Sequence, residues 1–169
     1  MTGVSITFDL DDLGALSDLD QIAAAGEDLF ELMDAIGRVL VNGAVERITV
    51  TNIDPDGIAW PQSFRAEVFG GPTLHSTGHL ARSITSAPEA REVTVGSNLI
   101  YAGVHQEGAI IRAKTAGGLH FMLADGEEVV VGEVTIPRRT YLGISTGERE
   151  DIADLTVAYF SGLLGGGMQ

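Results

Sequence analysis

Apolar residues recur along this chain with two different periods, and the changes of period divide it into elements. Val4-Ser5-Ile6-Thr7-Phe8 alternates apolar and polar side chains and is rich in β-branched residues, which predicts a short strand. Asp9 to Asp20 is acidic and reads as a loop. From about Asp20 to Thr51, Ile22, Leu29, Leu32, Met33, Ile36, Leu40, Val41, Val45 and Ile48 recur in three- and four-residue steps, so a long amphipathic helix is expected. Gly26, Gly37 and Gly43 should weaken it, each by up to about 1 kcal/mol relative to alanine, with a break near Gly26.

Asn52-Ile53-Asp54-Pro55-Asp56-Gly57 concentrates turn chemistry and should end that helix. A loop with Trp60 and Pro61 follows, and Ser76 to Ile84 reads as a short helix capped by Ser76 or Thr77. Residues 91–95 alternate as a strand, Gly96-Ser97-Asn98 turns, and Ile100 to His105 is an apolar run too short to assign. Segments 110–113, 120–123, 128–131 and 134–136 carry strand signals separated by Gly117-Gly118 and Ala124-Asp125-Gly126, and Pro137 should end the last of them. Ser145 and Glu148 have the spacing of a capping box. Ile152, Leu155, Tyr159, Phe160 and Leu163 then mark a closing helix that Gly165-Gly166-Gly167 cannot continue. The resulting expectation is one α+β domain over 1–169: a long N-terminal amphipathic helix, a mostly antiparallel sheet and a C-terminal helix packed on one face.

Composition narrows what such a domain does. The 169 residues are 44% hydrophobic and only 20% charged, enough for a real core. There is no cysteine, which excludes disulfides, thiolate zinc sites and thiol catalysis. Twenty-four acids against 10 bases give a net charge of −14, unfavourable for binding a phosphate backbone or an anionic membrane. Residues 1–56 hold 12 acids against Arg38 and Arg47, so any electrostatic role belongs first to that third. No basic-then-apolar signal opens the chain, and no segment reaches the roughly 18 apolar residues of a membrane span, so a soluble protein made without a secretion signal is expected.

Catalytic signatures are scarce. His75 and His79 are spaced four apart, as metal ligands on a helix can be, but no glutamate lies between them, and surface or turn histidines are the simpler reading. Asp9-Leu10-Asp11-Asp12-Leu13-Gly14 fails the calcium-loop pattern at its fifth position and lacks the closing glutamate. Neither Gly70-Gly71 nor Gly117-Gly118 belongs to a phosphate-binding glycine pattern, and there is no nucleophile elbow. No cofactor and no enzymatic activity are expected.

Five short motifs follow in order instead. They are Asp54-Pro55-Asp56-Gly57 with Trp60-Pro61, then Leu74 to Ile84 (LHSTGHLARSI), then Val95-Gly96-Ser97, then Tyr101 to Gly108 (YAGVHQEG), and Ile136 to Ser145 (IPRRTYLGIS) before the last helix. This series, spanning about residues 27–164, resembles the virion morphogenesis, or tail completion, family of tailed bacteriophages. That family shows a P-D-G-x-x-W turn, L-x-x-T-G-x-L-x-x-S, V-G-S, Y-A-x-x-H-Q-x-G and R-x-[FY]-L-G-[IL]-S. The chain departs from it in a short interval between Trp60 and Leu74 and in Thr140, where proline is usual.

The resemblance implies a non-enzymatic structural part of the virion. Its place would be a homohexameric tail completion or terminator ring at the head-proximal end of the tail, assembled in the bacterial cytoplasm. Such a ring ends tube growth and joins the tail to the head connector, so its partners would be itself, the tail tube protein and the neck proteins, while DNA passes through without specific binding. Another neck position, such as head closure, is the near alternative. A small acidic metal-dependent hydrolase using His75 and His79 is the alternative of a different class.

On these terms Pro55, Asp56 and Gly57 form a turn that aims Trp60, a side chain suited either to the core or to an interface. Gly78 and Leu80 should fix a helix start and a core contact. Tyr101 and His105 share a face if 100–106 is helical, with a backbone hydrogen bond expected for His105. Gly108, Leu142 and Gly143 complete the structural motif set. Trp60, Lys114, Arg138 and Arg139 are candidate contacts to a neighbouring subunit or partner, and 112–128 is expected to be a mobile loop that orders on assembly. Glu27, Asp28, Glu31 and Asp34 are candidate acids facing the lumen of a ring.

Overall fold

The computed structural model describes residues 3–9, 29–123 and 125–165. Its organising element is the helix α1, Phe30–Glu46, which runs on into a π-helical turn, Arg47–Thr51. Leu32, Met33, Ile36, Leu40, Ala44 and Ile48 fall at three- and four-residue steps and are all buried, so one stripe of the helix supplies much of the core. Asn52, left-handed at φ 55°, ends the helix, and its Oδ1 accepts from the Thr73 amide at 2.6 Å. The part of the expected helix before Leu29, with Gly26, lies outside the described residues.

One side of α1 packs against a three-stranded antiparallel sheet ordered β1-β3-β2. The strands are β1 (Val4–Asp9), β2 (Ile84–Pro88) and β3 (Glu92–Ser97). The register sets Ile6 beside Val95 and Phe8 beside Val93, so these side chains share the face turned to α1, where Val93 and Val95 are fully buried. Small and polar residues, among them Ser5, Thr7, Thr85, Thr94 and Gly96, form the outer face. The helix α5, Thr146–Gly165, packs on α1 through buried Ile152, Thr156 and Phe160. The side chain of Leu163 is not among those described.

Gly37 and Gly43 reverse their expected meaning. A Cβ at Gly37 would come within 2.8 Å of the Ser86 side chain, and one at Gly43 would overlap the Glu148 carboxylate. They lower helix propensity but let the sheet and α5 approach α1 more closely than any side chain would allow.

Two expectations are corrected and one open segment is assigned. The helix read over 76–84 is only α3, His79–Arg82, entered from a left-handed Gly78, because Ile84 already belongs to β2 and pairs with Ser97. Gly96 and Ser97 stay in β3, where the ladder outweighs their turn preference. The unassigned run near 100–105 is helical as α4, Ala102–Glu107. A further short helix, α2 (Phe64–Phe69), lies in the Trp60–Leu74 interval, with the Ser63 Oγ accepting from the Ala66 amide at 3.3 Å. Among the described residues no helix is long and apolar enough to cross a membrane.

Candidate assembly surfaces

Residues 109–136 form a two-stranded arm. β4 (Ala109–Arg112) pairs antiparallel with β7 (Glu133–Ile136), and farther out β5 (Leu119–Met122) pairs with β6 (Glu128–Val131). The Ala113 amide bonds the Gly132 carbonyl at 2.8 Å, so the return strand is continuous, while 114–118 bulge out of the outgoing one as a turn closed by Gly118 N–H to Thr115 O at 3.2 Å. The nine residues of the return strand span roughly 30 Å at about 3.3 Å each. The segment expected to be a mobile loop, 112–128, holds β5 and the start of β6: Leu119 to Met122 find cross-strand partners in Glu128 to Val131 that a reading of neighbours in sequence does not show.

A two-stranded ribbon has no interior. Accordingly Ile110, Ile111, Phe121, Met122 and Val130 are exposed, Met122 by 73%. Charge of both signs is present: Arg112 Nε donates to Glu133 at 3.1 Å near the root, Lys114 stands exposed on the bulge, and Asp125, Glu127 and Glu128 stand exposed at the tip.

The root of the arm is built from the sequence motifs. Gln106 on α4 is 4% exposed; its Oε1 accepts from the amides of Tyr141 and Leu142 at 3.1 and 3.0 Å, and its Nε2 donates to the Leu142 carbonyl at 3.0 Å. Tyr141, fully buried, donates its phenol proton to the Ala102 carbonyl at 3.1 Å, and burial pushes its pKa well up. The Arg139 amide donates to the His105 carbonyl at 2.8 Å. Gly108, at φ 74°, turns the chain into β4 where a Cβ would press to 3.0 Å from the Arg138 nitrogen and the Ile136 oxygen. Thus Tyr101 to Gly108 and Ile136 to Ser145 meet as two halves of one clamp, closed on either side of the arm.

The sequence-derived candidates separate on this frame. Trp60 is only 7% exposed and donates Nε1–H to the Thr140 carbonyl at 3.2 Å; Arg139 is 6% exposed and donates to the Pro61 and Gln62 carbonyls at 2.8 and 3.2 Å. Both were candidate contacts, and their burial makes them supports of the clamp instead. Arg138 and Lys114 remain on the surface, Arg138 bonded to Thr140 Oγ1 at 2.8 Å. The Pro55-Asp56-Gly57 turn is held by the Asp54 carboxylate, which accepts the amides of Asp56 and Ile58 at 3.0 and 2.8 Å, and Pro55 lies against Gly143. Leu80 and Leu142 are core residues.

Tyr101 and His105 do share a face, with ring centroids 6.1 Å apart in an edge-on contact. The expected backbone bond to the His105 ring is not found at Nδ1, which is buried without a hydrogen-bond partner. Burial, and secondarily the Arg139 guanidinium, hold this imidazole below its ordinary pKa. His105 and His79 line a cavity of about 220 Å³ with Arg139 and Tyr101, apart from any second ligand set. Among the described residues no three His, Cys, Asp or Glu side chains converge as a metal site would require. Of the lumen candidates, Glu31 is exposed and Asp34 is half-buried and ion-paired with Arg38, while Glu27 and Asp28 lie outside the described residues.

A second cluster escaped the sequence reading. Arg47, at the start of the π-helical turn, is buried against Glu148 of α5 and also donates to the Tyr141 carbonyl at 3.1 Å. Glu148 Oε2 accepts from the Ser145 amide at 2.6 Å as well, so the expected capping box is present, and the same oxygen is tied to a charge 101 residues away. The only signal in the sequence was the capping spacing itself.

No curated protein and no solved structure matches the chain. The family model described as the phage virion morphogenesis family matches residues 11–161, a span that takes in the clamp, the arm, α1 and most of α5. With nearly the whole of its described fold inside that match, the chain belongs to the phage virion morphogenesis family.

Proposed function

We propose that the protein is a non-enzymatic tail completion protein, a homohexameric ring at the head-proximal end of the tail that ends tube growth and docks to the head connector. Family membership supports a role in phage morphogenesis. The observation that carries the finer reading is the arm: a rooted ribbon whose apolar side chains find no cover among the described residues is a device for association. In this reading Glu31 and Asp34, with Glu27 and Asp28, face the DNA channel and repel passing phosphates.

Depletion of the protein during phage growth tests the assignment. Overlong tails unattached to filled heads are expected, and re-supply restores tails of one length. Normal tails with heads that leak DNA would assign the protein to head closure and overturn the tail-end position. A density map of the assembled ring with a basic lumen would overturn the role given to the four acids.

A further inference from the structure

We propose that the arm of one copy lies along the outward face of α5 of a second copy. This rests on the ring reading and specifies the contact that builds it. The charges differ between the outgoing strand of the arm and α5. Residues 108–124 contain Arg112 and Lys114 and no acid, in a chain of net charge −14, while the arm's own acids, Asp125, Glu127, Glu128 and Glu133, lie on its tip and return strand, where Glu133 pairs with Arg112. On α5, Glu150, Asp154, Val157 and Ser161 follow at i, i+4, i+7 and i+11, opposite the buried stripe of Ile152, Thr156 and Phe160. All four are exposed, Val157 by 64%, and Arg149 lies to the flank of that stripe.

The surfaces also match in length and character. A helix of 20 residues is about 30 Å long at about 1.5 Å per residue, the span of the arm. Its acids stand toward its first half and its apolar and small residues toward its second, so a strand bringing Arg112 and Lys114 to Glu150 and Asp154 sets apolar arm residues on Val157 and Ala158. A ribbon about 10 Å wide and about 30 Å long offers roughly 300 Å² on one face, well short of the roughly 800 Å² per partner of a stable pair. Such a contact does not hold an isolated dimer. In a closed ring each copy gives one arm and receives one, and closure adds the contacts together.

The test is a charge exchange, read by native mass spectrometry and sedimentation of the chain alone and with assembled tail tubes. Arg112→Glu with Lys114→Glu should weaken ring formation by at least about ten-fold, as should Glu150→Lys with Asp154→Lys, because each sets like charges face to face. Mixing the two variants, or combining all four changes in one chain, should restore rings. Since the protein has no cysteine, Lys114→Cys with Asp154→Cys provides a second readout: oxidation should give a ladder of covalent oligomers, whereas either change alone gives at most a dimer. All these positions are exposed, so the variants should fold, and circular dichroism checks that they do. Rings indifferent to the reversals, or weakened without restoration, would overturn the arm-to-helix contact and leave the ring reading standing. A wild-type chain that stays monomeric even with tail tubes would overturn both.

Discussion

In the body, α1 and the three-stranded sheet withdraw Leu32, Met33, Ile36, Val93 and Val95 almost completely from water, whereas in the arm Ile110, Ile111, Phe121, Met122 and Val130 remain 36–73% exposed. The residue types are the same. The difference lies in the number of layers: a helix laid on a sheet has an inside, and a two-stranded ribbon does not. What the arm receives from the body is direction, because Gln106, Tyr141 and Arg139 fix its root while leaving its length uncovered. Apolar surface therefore stabilises the fold in one region and is left for association in the other.

The largest effects should come from breaking the body. Glu148→Ala leaves Arg47 buried without its carboxylate and removes the carboxylate half of the capping box of α5, and should cost about 3–5 kcal/mol in urea unfolding. The double variant Arg47→Met with Glu148→Gln, which removes both charges and keeps a cap, should cost less than the single change. Ile36→Ala should lose about 2–5 kcal/mol by opening a cavity between α1 and the sheet.

Next in size is the clamp where the two regions meet. Gln106→Leu strips hydrogen bonds from two buried amides and one buried carbonyl, and should cost on the order of 2–4 kcal/mol. If the clamp belongs to the body, as its burial indicates, that loss will appear in the single cooperative transition. A separate early transition would mean that the arm and its root melt as a unit of their own.

The body was legible in the sequence for the same reason that it is stable. One stripe at helical spacing, one alternating strand and one capping box each state locally which side faces the core, and α1, β1 and α5 follow from them. The clamp was visible only as motifs. Gln106 acts on residues 35 and 36 positions later and Arg47 on one 101 later, distances over which no periodicity operates. Trp60 was open between core and surface until the Thr140 carbonyl appeared beside its indole nitrogen. In the arm the strands could be read but not their nesting, because β4 skips β5 and β6 to pair with β7.

A smaller effect concerns protons. His105 is held below its ordinary pKa by burial and by Arg139, so between that lowered value and about 6.5 the unfolded chain binds the proton and the folded chain does not. The stability from the neutral ring is present above about 6.5 and is lost as pH falls toward the folded-state pKa. Relief of repulsion among the many acids acts in the opposite direction, so the wild type alone does not isolate the effect. The measurement is the difference in melting temperature between wild type and His105→Gln from pH 7.5 to about 5. Wild type should lose ground to the variant as the solution is acidified, and a constant difference would remove His105 from the clamp's energetics.

The smallest expected effect is the most informative about the comparison. Ile111→Ala makes in the arm the change that Ile36→Ala makes in the body. Ile36 is 2% exposed and Ile111 is 43% exposed, so the arm substitution removes little more than half as much of the surface that folding had hidden. Its cost to the isolated chain should stay within about 1 kcal/mol. The same variant, with Phe121→Ala added, should form rings less readily than wild type, since the surface it deletes becomes buried only on association. Arm variants that destabilise the isolated chain as much as Ile36→Ala would show that the ribbon packs on its own body in solution. An arm that can be trimmed without effect on either folding or ring formation would leave its exposed side chains without a role, and the contrast between the two regions would lose its functional meaning.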